Sequence, residues 1–253
     1  MKEKLLVLAK TYPLVSKKYE HLVCVGGITD KEEFRRIYPI EWRIFWHNDG
    51  FKKKHWIEYE TQSDMPSDHR PESRKIISKS IKGLSEAQFK DIKLLLDKKI
   101  TTMEDLYSKD HKIVSLGIIK PFQIIDFVVE DNPYYRKTKK KSSQISLIDN
   151  KSSVKIFIPQ KSFSYVYKCS KDCKKPHKLM CEDWELMALY RNCEEYRKQG
   201  KYKDENEVIE KVKQRFLIDL PQKKDLYFFV GTHFRFKTYM IISVIYPKKD
   251  DKY

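Results

Sequence analysis

The chain has 253 residues and a formal net charge of +16, with 40% hydrophobic and 13% aromatic residues. That length and apolar share support a real core, in one large domain or two small ones, and exclude a disordered chain. The charge points to a polyanionic partner, nucleic acid first; 42 Lys against 10 Arg with only three Ala is also the mark of an AT-rich genome, so part of it is compositional.

In chain order, Leu5 to Ala9 is a continuous apolar run suited to a buried strand and too short for a signal-peptide core. With no run near the ~20 apolar residues of a spanning helix, the expected compartment is the cytoplasm, with no membrane association. His21 to Ile28 is a second strand, in which Gly26-Gly27 signals a bulge or a close backbone approach. Thr29 to Glu32 is a turn, and Phe34 to Tyr38, Trp42 to Trp46 and His55 to Tyr59 read as further strands. Short strands at this spacing suggest a small barrel or curled sheet.

The polar stretch from Asp64 to Arg74 reads as a loop. A capping box at Ser85 opens a predicted helix to about Lys99, and a shorter one covers Thr102 to Tyr107. Strands are expected over 113–119, 122–130, 144–148, 154–158 and 163–168, with a basic run from Tyr134 to Ser143 among them. Two helices follow, about 182–198 and 205–216, the second capped by Asp204 with Glu207 three positions on. Leu226 to Val230 and Arg235 to Tyr246 close the chain as apolar strands.

The segment after the strand at 163–168 carries Cys169, Cys173, His177 and Cys181. Soft thiolates and an imidazole in one short polar loop suit tetrahedral zinc, with an iron–sulfur cluster as the alternative. Pro176 argues against a single helical face, so a knuckle between strand and helix is expected. Cys181 is the first choice for the fourth ligand, ahead of Cys24, in an apolar strand, and Cys193, on a helical face with Leu186, Leu189 and Tyr196. An odd count of five cysteines in a reducing compartment argues against a disulfide framework.

No catalytic residue is assigned. Asp183 and Glu185 could bind magnesium as a pair, but acidic residues in a first helical turn more simply complement its dipole. The loop Asp68-His69-Arg70-Pro71-Glu72-Ser73 and the turn at His233 are weaker candidates. Seven glycines and no Gly-rich phosphate loop exclude P-loop and dinucleotide-binding readings. Nucleic-acid contact is expected from Lys52, Lys53 and Lys54 beside Trp56, and from Tyr134, Tyr135, Arg136, Lys137, Lys139, Lys140 and Lys141. Aromatics interleaved with cations suit base stacking with phosphate contact.

Ala9-Lys10-Thr11-Tyr12-Pro13, Lys18-Tyr19-Glu20, Val23-Cys24, Gly27-Ile28, Arg36-Ile37-Tyr38-Pro39-Ile40 and Arg43 together resemble the opening of uncharacterised prokaryotic and phage proteins, some described as carrying two OB-like folds. The later Asp183-Trp184-Glu185-Leu186 and Phe229-Val230-Gly231-Thr232 resemble the same group. The resemblance implies an oligonucleotide-binding barrel and carries no catalytic motif.

The resulting expectation is a β-rich α+β protein: an OB-like module over 1–80, a helical connection over 81–110, and a second α+β module over 111–253 with the metal knuckle and two helices. Its expected function is zinc-stabilised, non-enzymatic binding of single-stranded or structured nucleic acid. A nucleic-acid-processing enzyme and a protein-interaction module of a mobile element or defence system are the alternatives.

Overall fold

A computed structural model describes residues 1–16, 20–41, 51–110, 112–140 and 157–249. The described residues form a mixed α+β, strand-rich fold with three sheets among them. The largest has seven strands in the order β6-β4-β3-β1-β5-β7, with β2 beside β3. Its members are β1 (Lys2–Lys10), β2 (Leu14–Ser16), β3 (Glu20–Thr29), β4 (Phe34–Glu41), β5 (His55–Glu60), β6 (Ser73–Lys75) and β7 (Lys82–Glu86). All pairings are antiparallel except β4 with β6.

Strand β1 is central because its apolar run is buried on both faces. Leu5 and Val7 point into one core with Val23, Val25, Ile37, Ile57 and Tyr59. Leu6 and Leu8 point the other way, toward Ile118, Tyr227 and Phe229. The glycine pair behaves as its sequence suggests: a Cβ on Gly27 would lie 2.0 Å from the Leu6 carbonyl oxygen, and the β1–β3 register shifts between Val7 and Ala9. Only glycine fits so close an approach.

The sheet curls, and hydrogen bonds from Gln62 N to Lys75 O and from Ile77 N to Glu60 O reach across its open side. No closed barrel is found among the described residues. The predicted strand at 42–46 lies outside them, as does 144–148; of 154–158 only 157 and 158 are described, and they are not in a strand.

Beyond β7 come α1 (Phe89–Asp97) and α2 (Met103–Ser108). The helix expected from Ser85 starts four residues late, because 82–86 pair with β5 instead. Ala87 N–H donates to Lys54 O, holding the chain extended up to the helix; strand pairing here overrides the local capping signal. The short helix expected over 102–107 is present as α2, with Thr102 as its cap, accepting from Asp105 N–H.

The second sheet, β11-β10-β9, contains β9 (Gln123–Asp131), β10 (Lys161–Lys168) and β11 (His177–Met180). The third, β13-β12-β8, contains β8 (Leu116–Ile119), β12 (Tyr227–Thr232) and β13 (Tyr239–Ile245). Strand β12 joins two cores: Tyr227 and Phe229 face the first sheet, whereas Phe228 and Val230 face Phe127, Tyr165 and Tyr190. The basic run is helical over 135–140 (α3), opened by Asn132, whose side-chain oxygen accepts from Tyr134 N–H.

Helices α4 (Trp184–Lys198) and α5 (Glu205–Lys213) cover the second sheet. The first buries Leu186, Met187, Tyr190 and Cys193 on one face, as their spacing implies. The second continues as a π-helical turn, Gln214–Asp219, and a short helix α6, Leu220–Lys223. The wider turn matters to the core, because the Phe216 carbonyl accepts the Tyr165 hydroxyl at 2.8 Å.

Candidate metal centre

Strand β10 ends at Lys168 and β11 begins at His177, so residues 169–176 are the turn of a hairpin in which Tyr167 pairs with His177. The knuckle therefore lies between two strands, not between strand and helix as expected. Strand pairing fixes His177 opposite the end of β10, and Cys169 and Cys173 fold inward between them. The Cys169 backbone N–H donates to the Cys173 sulfur at 3.2 Å, which holds the loop closed over the pair.

The two sulfurs lie 3.0 Å apart, and His177 Nε2 is 3.6 Å from Cys169 Sγ and 3.5 Å from Cys173 Sγ. The fourth corner is Glu104, in the first turn of α2. Its carboxylate lies 2.9 Å from Cys169 Sγ, 3.4 Å from Cys173 Sγ and 3.0 Å from His177 Nε2. The four ligand atoms fall within 4.8 Å of one another and could hold a metal ion. Tetrahedral zinc, with bonds of about 2.0–2.3 Å, would place ligand atoms about 3.3–3.8 Å apart, so small outward shifts would fit one in.

Burial, the Glu104 carboxylate and the neighbouring Cys173 thiol push the Cys169 thiol up to about 12. Desolvation raises Glu104, but as the acceptor of both thiol protons it is held at about 2. A bound cation would replace those protons and release both thiolates for ligation.

Cys181 stands apart from the cluster. It is fully buried in the core, bridges to Ile241 and donates its N–H to Phe163 O, and burial raises its thiol well above the ordinary value. Cys193 packs in the same core and Cys24 is half-buried in β3. Glu104 escaped the sequence reading because it lies 65 positions before Cys169; a first-turn glutamate is ordinary helix chemistry, and no spacing rule links it to the loop.

The basic residues divide. Lys53 keeps only 10% of its side chain exposed, lies 2.9 Å from Asp183 and 3.3 Å from Glu185, and is not available to phosphate. Burial alone would lower its pKa, but the two carboxylates raise it above the ordinary lysine value. Lys54 pairs with Glu86 and lies 4.5 Å above the Phe89 ring, and Trp56 packs against the core behind the first sheet. Lys52 alone of that group is exposed. On α3, Arg136, Lys137, Lys139 and Lys140 are exposed, as is Tyr134, while Tyr135 is half-buried and accepts from Gln160. Lys141 lies outside the described residues.

Asp183 caps α4, accepting from the N–H groups of Glu185 and Leu186, and also accepts from Ser243 Oγ and Val244 N. Every lone pair of this carboxylate is thus committed to structure. In the 68–73 loop, Asp68 grips Arg70, Arg70 donates to Thr232 O, and Glu72 accepts from Ser115. Arg36 is buried against Ser73 and Ser115. These groups join the first sheet to the ends of β8 and β12.

Fold and cluster together define a strand-rich α+β protein that gathers two cysteines, a histidine and a glutamate at a hairpin turn. No described helix is long and apolar enough to cross a membrane. Residues 98–253 match a domain of unknown function (DUF8757), and the chain belongs to that family. Residues 1–96 match a second domain of unknown function (DUF8758). No curated protein matches the chain.

Proposed function

We propose that this is a zinc-stabilised protein that binds single-stranded or structured nucleic acid without catalysing a reaction on it. The observation that carries the reading is α3, where four exposed cations lie beside the exposed ring of Tyr134. That combination offers phosphate contact and stacking on one short element. The curled first sheet would serve as an OB-like module, its strands giving a curved surface to the same partner.

Two thiolates, an imidazole and a carboxylate favour zinc over an iron–sulfur cluster, which takes thiolates almost throughout. Zinc here would tie α2 to the β10–β11 hairpin, a structural role.

The test is fluorescence anisotropy of labelled single-stranded oligonucleotides at rising salt. Affinity should fall with a log–log slope of about 0.7 per phosphate neutralised. Replacing Arg136, Lys137, Lys139 and Lys140 with Ala should reduce that slope by about 3. Binding that does not weaken between low and moderate salt would sink the proposal.

A further inference from the structure

The turn joining β12 to β13 reads His233-Phe234-Arg235-Phe236-Lys237-Thr238, and residues 234–238 are all exposed. Two large apolar rings exposed on one turn form a small apolar patch, the kind of surface that can serve as a contact site. Phe234 is 53% exposed and Phe236 62%. The turn is nonetheless built to a fixed shape. His233 Nδ1 accepts the backbone N–H groups of Arg235 and Phe236 at 3.1 and 3.3 Å, and His233 N–H donates to Thr238 O at 2.8 Å.

Each ring is seated on a flat polar group. Phe236 stacks on the His233 imidazole, centroids 4.8 Å apart and planes 21° from parallel. Phe234 lies 5.4 Å from the His69 ring, with the Arg70 guanidinium also 5.4 Å from its centroid. One side of each ring is thus backed and the remainder is open to solvent. Arg235 and Lys237 alternate with the rings, and neither has a carboxylate partner among the described residues.

We infer that this turn is a stacking platform for unpaired bases of a single-stranded nucleic acid, with Phe234 and Phe236 under two bases and Arg235 and Lys237 on the flanking phosphates. The inference rests on the nucleic-acid reading above and adds a second contact surface to it. Backed, fixed rings between cations match a planar base attached to an anionic backbone. A lipid surface would instead favour rings free to plunge below the charged groups.

The experiment uses the metal-loaded full chain and a fluorescein-labelled oligothymidylate. Phe234→Ala with Phe236→Ala should weaken binding by about tenfold or more while leaving the salt slope as in the wild type. Phe234→Leu with Phe236→Leu should not restore it, because leucine keeps the apolar bulk without a stacking face. Arg235→Ala with Lys237→Ala should instead lower the slope by about 1.4. Unchanged thermal midpoints would show that these exposed changes leave the fold intact.

If the wild type and the α3 variants behave as proposed and the phenylalanine variants bind like wild type, this inference fails and the proposed function stands. If the wild type binds no strand at all, both fall. Phenylalanine-dependent binding to phosphatidylserine vesicles, with none to the oligonucleotide, would also overturn it.

Discussion

Cys169 and Cys173 bring their sulfurs to 3.0 Å, well beyond the ~2.05 Å of a disulfide. Both are free thiols crowded against an imidazole and a carboxylate. Cys169→Ser or Cys173→Ser should therefore take metal content in purified protein from about one equivalent to near zero, by elemental analysis. Cys181→Ser should leave it unchanged, since that thiol is elsewhere in the core. Glu104→Ala should keep the metal on three protein ligands but release it faster to a chelator, because water can take the vacant corner. Equal loss in Cys181→Ser would contradict the ligand set.

A second residue carries a pH signature. Burial, followed by the nearby Lys53 charge, lowers Lys10 to about 8; its ammonium donates to Phe51 O and lies 4.7 Å from the Trp184 ring. The unfolded chain holds this proton up to the ordinary lysine value, so between about 8 and 10.5 it binds more protons than the fold does. Stability should rise with pH across that window, by at most about 1.4 kcal/mol per unit from this group. In urea unfolding from pH 8 to pH 10, wild type should gain on Lys10→Met; a constant difference would contradict the assignment.

Among the elements, the start of α4 does the most joining. Its cap, Asp183, pairs with Lys53, which comes just before β5, and reaches Ser243 and Val244 in β13. The two halves thus share a charge pair withdrawn from solvent. Asp183→Asn should preserve much of the cap yet leave Lys53 without its main counter-charge, costing about 3–5 kcal/mol in denaturant unfolding. Adding Lys53→Met should recover part of that loss; no recovery would mean the pair is not coupled. The helical spacing of α4 and the Asp204 cap of α5 were legible because both are local. The start of α1 was not, because Lys82–Glu86 pair with β5, a strand more than 20 residues away in sequence.

For the whole molecule, three sheets share two buried layers, and β12, buried along its length, belongs to both. The Glu104, Cys169, Cys173 and His177 cluster brings α2 against the β10–β11 hairpin, and its two cysteines border the layer that holds Phe228 and Val230. A chelator should therefore lower the thermal midpoint in proportion to metal removed, and re-adding zinc should restore it. An unchanged midpoint after complete removal would show that the cluster is not a staple.

The sequence by itself determined what depends on near neighbours. Apolar runs made β1, β3, β12 and β13, the Gly26-Gly27 pair marked a close strand approach, and Cys169, Cys173 and His177 stood within nine residues as candidates for one cluster. Only the tertiary structure decided the partners of those pieces. It put Glu104 at the fourth corner in place of Cys181, turned Lys53 from a surface cation into an internal counter-ion, and set Phe234 against Arg70. Each of those outcomes is a contact between residues scores of positions apart. Burial and charge pairing act through space, and local spacing carries no record of them.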